Sequence, residues 1–306
     1  MGNLLVGFVL LMFALAGGGA MALVLMTHRV EGEYFDSSKI RLHYTMKGEG
    51  EPVVLLHGFA VNGDINWRWP GIIDLVSKDF RVITLDLRGH GLSGKPHDPR
   101  QYGLEMVRDV TRLLDHLQIG KAHVVGYSMG GFIALKMAVI DPERLITVSA
   151  LGAGWERPDD RVLGEALPRL ENSLRSGRAI GPLSGYLESA TEKPGRLQTC
   201  WVKLMTGYFN DREALAAMME GFPELALTKE EMQNIPLPIC SIVGSRDPLK
   251  VCADAMVGLI SDHTYVVVED TEHIRTLMRG ETRDTLRGFL LRHKGESIEK
   301  RGDVKL

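Results

Sequence analysis

Cysteine is scarce in this sequence: three in 306 residues, Cys200, Cys240 and Cys252, with no C-x-x-C spacing. That odd, scattered set argues for inert thiols and against a disulfide framework or a metal site, and no metal or cofactor is expected. A dominant charge is missing as well. Thirty-six Lys and Arg against 39 Asp and Glu leave a net charge of -3, with no Lys/Arg-rich block, so there is no basic field to hold nucleic acid. Internal repeats and low-complexity tracts are absent. With 44% hydrophobic and 25% charged residues the composition is that of a globular protein. The length allows one large α/β domain with an insertion, or two ordinary domains.

Residues 4–26 form a long, mostly apolar run without a charge. Its 23 residues are enough to cross a hydrocarbon core of about 30 Å at about 1.5 Å per residue. A cleaved signal peptide would use Ala20-Met21-Ala22, yet no Lys or Arg precedes His28 to form a positive n-region. The expectation is therefore a single-pass N-terminal anchor within residues 1–28 that makes the membrane a partner. The alternative is a secreted or periplasmic chain after signal cleavage.

From residue 29 onward, short apolar runs alternate with amphipathic stretches. Strands are expected at 40–46, 52–56, 81–87, 121–127, 145–151, 239–243 and 264–269, and helices at 67–77, 102–117, 129–140, 251–260 and 274–292. Runs such as Pro52 to Leu56 are apolar throughout, as expected for strands buried on both faces. The expected fold class is α/β, with a mostly parallel sheet of about eight strands covered by helices on both faces. Between residues 152 and 235 the alternation stops, and Pro158, Pro168, Gly181-Pro182 and Pro194 break a Leu/Glu/Arg/Ala-rich stretch. The domain reading is a core of 29–151 and 236–293, a helical cap of 152–235 inserted after the sixth strand, and a charged tail of 294–306.

Gly126-Tyr127-Ser128-Met129-Gly130 matches G-x-S-x-G. The pattern alone is common; its setting between an apolar strand and a helix is what the chemistry needs. A serine on so tight a turn requires neighbours without side chains, which Gly126 and Gly130 supply. The helix opening at Met129 aims its N-terminal dipole at the serine oxygen, where negative charge develops in acyl transfer.

With these residues, 34–292 resembles the α/β-hydrolase fold superfamily, as a serine esterase- or lipase-like member with a cap. Three more segments match in order. Leu55-Leu56-His57-Gly58-Phe59 resembles the loop that supplies one oxyanion donor, which implies that the backbone N–H groups of Phe59 and Met129 form the hole and that His57 is structural. Asp86-Leu87-Arg88-Gly89-His90-Gly91-Leu92-Ser93 resembles the loop after the fourth strand. Its G-x-G-x-x-G spacing would suit a dinucleotide only if a helix opened there, and Lys95-Pro96-His97-Asp98-Pro99 follows instead. Gly244-Ser245-Arg246-Asp247-Pro248 and, later, Glu272-His273 occupy the family's acid and base positions.

The resemblance thus implies Ser128 as nucleophile, Asp247 as acid and His273 as base. Asp270 and Glu272 are rivals for the acid, but they lie too near His273 in sequence to face its ring easily. His123 begins its strand and should sit at the opposite edge. Within the insertion, Trp155, Tyr186 and Trp201, together with Tyr127 beside the nucleophile, are candidates to line an acyl pocket, although simple packing is the commoner role for such residues.

The expected activity is hydrolysis of a carboxylic ester, thioester or lactone of a small-molecule acyl substrate through an acyl-enzyme. Carbon–carbon bond hydrolysis or perhydrolase activity at the same site remains an alternative. Dehalogenases and epoxide hydrolases need an aspartate where Ser128 stands, and the HGGPG signature of proline iminopeptidases is absent. From a different class, the alternative is a membrane-tethered, receptor-like binding module with little turnover.

Overall fold

The computed structural model describes residues 32–160, 162–176 and 210–295. The chain divides into two compact units, Met1–Glu33 and Tyr34–Leu306, and of the first only residues 32–33 are described. Eight strands form one sheet: β1 (Glu33–Ser37), β2 (Ile40–Lys47), β3 (Pro52–Leu56), β4 (Arg81–Leu85), β5 (Ala122–Tyr127), β6 (Leu145–Leu151), β7 (Ile239–Gly244) and β8 (His263–Val268). Their order is β1-β2-β4-β3-β5-β6-β7-β8. β2 runs antiparallel to β4, and every neighbouring pair from β4 through β8 is parallel. β1 was not foreseen. It is short, and it joins β2 through Ser38 and Lys39, both at positive φ, as a two-residue hairpin turn requires.

Among the described residues the α-helices are α1 (Ile72–Val76), α2 (Leu104–His116), α3 (Met129–Ile140), α4 (Val162–Arg175), α5 (Arg212–Gly221), α6 (Lys229–Gln233), α7 (Lys250–Asp254) and α8 (Gly280–Arg292). The pleat divides each central strand between two cores. Val54, Leu56 and Val124 pack against α2 and α3, while Val53, Leu55 and Val125 face α1 and α8. Three helices depart from expectation. Residues 67–77 split into a π-helical turn, Asp64–Arg68, and α1, because Pro70 and Gly71 at φ +76° interrupt the ladder. Residues 274–292 split likewise into a 3₁₀ stretch, His273–Met278, and α8, and the helix expected at 251–260 is only α7.

The chain leaves β3 for β4 on one side and then returns to place β5 on the other, so its direction reverses between β3 and β5. Loops at the carboxyl edge of such a reversal diverge and open a crevice. The register aligns Leu56 with Gly126, Tyr127 with Leu151 and Leu151 with Ile242, so the segments after β3, β5, β6 and β7 leave from one rim.

One ion pair ties this rim to α2. The Arg88 guanidinium, 1% exposed, donates two hydrogen bonds to the Asp109 carboxylate at 2.6 and 2.5 Å and a third to the Gln101 carbonyl at 2.5 Å. Removing one member strands a buried charge. Asp109→Ala is expected to lower the unfolding free energy by about 3–5 kcal/mol, read from the denaturant midpoint. The double replacement Arg88→Met, Asp109→Leu should cost less than either single change.

The membrane expectation is corrected. Among the described residues no helix is long and apolar enough to cross a membrane. The longest, α4, has 14 residues and carries charges, and at about 1.5 Å per residue it falls well short of a bilayer core. Residues 4–26, on which the anchor rested, lie outside the described residues, so neither the single-pass anchor nor a membrane partner is supported.

Candidate active site

Ser128 sits between the end of β5 and the start of α3 with φ +52° and ψ −118°, a conformation that costs a non-glycine residue about 1–3 kcal/mol. Packing holds it there. A side chain at Gly126 would meet the Gly130 carbonyl at 2.1 Å, and one at Gly130 would meet the Leu56 carbonyl at 2.2 Å. The turn closes only because both positions are bare, and Ser128 N–H is anchored on the Leu151 carbonyl at 2.8 Å.

Two residues distant in sequence arrive at this turn. Ser128 Oγ lies 3.0 Å from His273 Nε2, and His273 Nδ1 lies 2.7 Å from Asp247 Oδ2. Asp247 follows β7, and its second oxygen, Oδ1, accepts the Leu249 N–H at 2.8 Å. Asp247 is 4% exposed and His273 2%. A carboxylate accepts from Nδ1–H, which leaves Nε2 free to accept from the serine hydroxyl. Gly152, at the end of β6 with φ +57°, makes room for the pair: a side chain there would meet His273 Cε1 at 2.9 Å and Asp247 Oδ2 at 3.3 Å. No local motif marks Gly152 for that duty.

The loop after β3 is fixed by His57. Its Nε2 accepts the Leu87 N–H at 3.0 Å, so Nδ1 carries the proton and donates to the Gly58 carbonyl at 2.7 Å. Burial lowers the His57 pKa, which keeps the ring in this neutral tautomer. In a trans peptide the N–H points opposite the carbonyl, so this bond turns Phe59 N–H away from His57. Phe59 and Met129 both line the cavity that contains Ser128.

Asp86 braces the same loop by accepting Gly63 N–H and Leu92 N–H, each at 3.0 Å, and pairing with His43 Nδ1 at 3.0 Å. Burial would raise its pKa, but these hydrogen bonds outweigh burial and hold it below the usual carboxylate range. His90, fully buried beside His57, is pushed down to about 3, chiefly by burial. It stays neutral.

The cavity above Ser128 has a volume of about 340 Å³. Phe59, Tyr127, Met129 and Phe132 line it from the core side, and Leu163, Leu167 and Leu170 of α4, Met219 of α5 and Phe222 line it from the insertion. No Lys, Arg, Asp or Glu is among the described lining residues. Tyr127 is part of the wall, but its hydroxyl donates to the His273 carbonyl and its ring lies 5.1 Å from the imidazole. Trp155 is not in the wall; its Nε1 donates to the Leu227 carbonyl at 2.8 Å and its ring packs in the core. Tyr186, Trp201 and Cys200 lie outside the described residues, while Cys240 and Cys252 are free, buried thiols. Among the described residues no cluster has the composition of a metal site. Asn66, inside the π-helical turn, lines the cavity and was not anticipated.

Residues 51–177 match the model of the alpha/beta hydrolase fold family. The chain is 28% identical over 272 residues to the pimeloyl-acyl-carrier protein methyl ester esterase of Aliivibrio fischeri, covering 82% of this chain and 98% of that one. Over 125 residues it is 39% identical to the dihydrolipoyllysine-residue acetyltransferase component of the acetoin cleaving system of Pseudomonas putida. That match covers 40% of this chain and only 31% of the relative, so it concerns a part of that protein. Among solved structures, the N-acyl homoserine lactone degrading enzyme Est816 superposes with a TM-score of 0.68 at 26% identity, covering 84% of this chain and all of the other. With the sheet order, the strand–turn–helix at Ser128 and these likenesses in agreement, the chain has the alpha/beta hydrolase fold.

Proposed function

We propose that this protein is a serine hydrolase that cleaves a carboxylic ester or lactone through an acyl-enzyme. The observation that carries this reading is the hydrogen-bonded line from Ser128 Oγ through His273 to Asp247. Ser128 attacks the acyl carbon as His273 Nε2 takes its proton. Asp247 holds the imidazole in the required tautomer and stabilises the cation that forms. The oxyanion is received by the N–H groups of Phe59 and Met129, with the N-terminal dipole of α3 behind the second. His273 then protonates the leaving alcohol, and water reverses the sequence to release the acid.

The described wall, apolar and without Lys, Arg, Asp or Glu, supports an uncharged acyl group. Residues 152–235 are read as a cap on the core of 29–151 and 236–293, because α4 and α5 supply one side of that wall. The Aliivibrio relative is named a methyl ester esterase and Est816 an N-acyl homoserine lactone degrading enzyme, which favours oxygen esters as the first substrates to try.

A fluorophosphonate probe tests the reading directly. It should label Ser128 in the folded protein and leave Ser128→Ala untouched; folded protein that stays unlabelled overturns it. Tyr127→Phe is expected to lower kcat about tenfold with little change in KM, because the carbonyl beside the base loses its donor. Leaving that buried carbonyl unsatisfied should also cost about 1–3 kcal/mol of stability, seen in a urea titration.

A further inference from the structure

The wall of the cavity offers few polar atoms for orienting a substrate. Ser128 and His273 belong to the reaction already described. The Tyr127 hydroxyl is committed to the His273 carbonyl, and Trp69 stands at the mouth, 59% exposed. Among the described lining residues, what is left is Asn66, only 8% exposed. Its carboxamide has a forced orientation. Gly58 N–H donates to Asn66 Oδ1 at 2.6 Å, and only the oxygen can accept, so Nδ2 is directed away from Gly58. Among the described residues no acceptor for Nδ2 is found. A group built on Gly58 would touch both Asn66 Oδ1 and Ser128 Cβ at 3.4 Å, which puts the carboxamide two van der Waals contacts from the nucleophile. The π-helical turn that carries Asn66 is a rare conformation that occurs frequently at functional sites.

We infer that Asn66 Nδ2 is a specificity-determining donor. It receives a hydrogen-bond-accepting oxygen of the substrate, a few bonds from the scissile carbonyl on the acyl side, as in a 3-oxoacyl ester. The inference rests on the serine hydrolase reading and adds the substrate class. In an otherwise apolar wall, a substrate lacking that oxygen leaves the amide without a partner, and a substrate carrying it pairs both groups. The Asn66 oxygen separately holds Gly58, so the residue has a structural duty too, and the test must separate the two.

Matched 3-oxo-octanoyl and octanoyl esters of one alcohol make the separation. The readout is the ratio of their kcat/KM values in wild type, Asn66→Asp and Asn66→Ala. Intrinsic reactivity and any loosening of the Gly58 loop affect both esters alike and cancel when ratios are compared between proteins. Asn66→Asp keeps an acceptor for Gly58 N–H while replacing the cavity-facing donor by an acceptor. The preference for the 3-oxo ester should fall about tenfold in both variants relative to wild type. A ratio unchanged within about twofold in both overturns the inference, even where overall rates drop.

A binding arm keeps the result independent of turnover. Calorimetry with the same esters on Ser128→Ala, with and without Asn66→Asp, should show the preference lost with the donor; equal preference in the two proteins overturns it. Failure of the hydrolase reading is distinguishable, since it would show as an unlabelled Ser128 and no turnover of either ester.

Discussion

Ser128→Ala should abolish ester turnover, a fall of about six orders of magnitude in kcat, while the protein folds as before. The size follows from the loss of the hydroxyl proposed to form the acyl-enzyme: His273 and the two proposed N–H donors would be left to assist water alone. Folding should be insensitive because the strained turn is held by Gly126, Gly130 and the Ser128 N–H on Leu151, none of which uses the hydroxyl. Burst kinetics with a nitrophenyl ester and a thermal melt check the two halves. A variant that keeps even one hundredth of the rate would move the nucleophile elsewhere.

Asp247→Asn should lower kcat by about four orders of magnitude. The local geometry says why. Leu249 N–H occupies Oδ1, so a carboxamide in the same place would keep its oxygen there and turn its NH₂ toward His273 Nδ1. An amide can only donate at that position. The imidazole would then be driven into the tautomer that carries its proton on Nε2, facing Ser128, where it cannot act as a base. Stability should change little, since both neighbours keep hydrogen bonds. Single-turnover acylation separates this effect from weaker binding. Activity within tenfold of wild type would take the acid role from Asp247.

Much of this was readable along the chain because strands buried on both faces leave continuous apolar runs. Pro52 to Leu56 and Leu145 to Leu151 are bounded to the residue, and so is the helix Met129 to Ile140 that follows Ser128. Local pattern failed where a backbone bend overrode it. Pro70 and Gly71 split the helix foreseen at 67–77, and Asn66, just before that stretch, stands in a π-helical turn on the cavity wall. Trp155 shows the opposite failure: an aromatic residue in the insertion was a fair candidate for the pocket, yet its ring packs in the core. The expectation of a membrane anchor rested on hydropathy alone, and no described helix supports it.

The order of chemistry along the chain, a serine on a glycine-flanked turn followed by an aspartate and a histidine after later strands, is written in residue types and their spacing. Backbone sterics make it legible, since few residues tolerate such a turn. What the folded molecule alone decided is how those residues meet. Distances of 3.0 and 2.7 Å between groups more than a hundred residues and 26 residues apart depend on strand order and register. So do the space left at Gly152, the hydroxyl of Tyr127 on the His273 carbonyl, and the forced orientation of Asn66. These are contacts across the sheet's rim, and no local periodicity encodes which neighbour a side chain will find there.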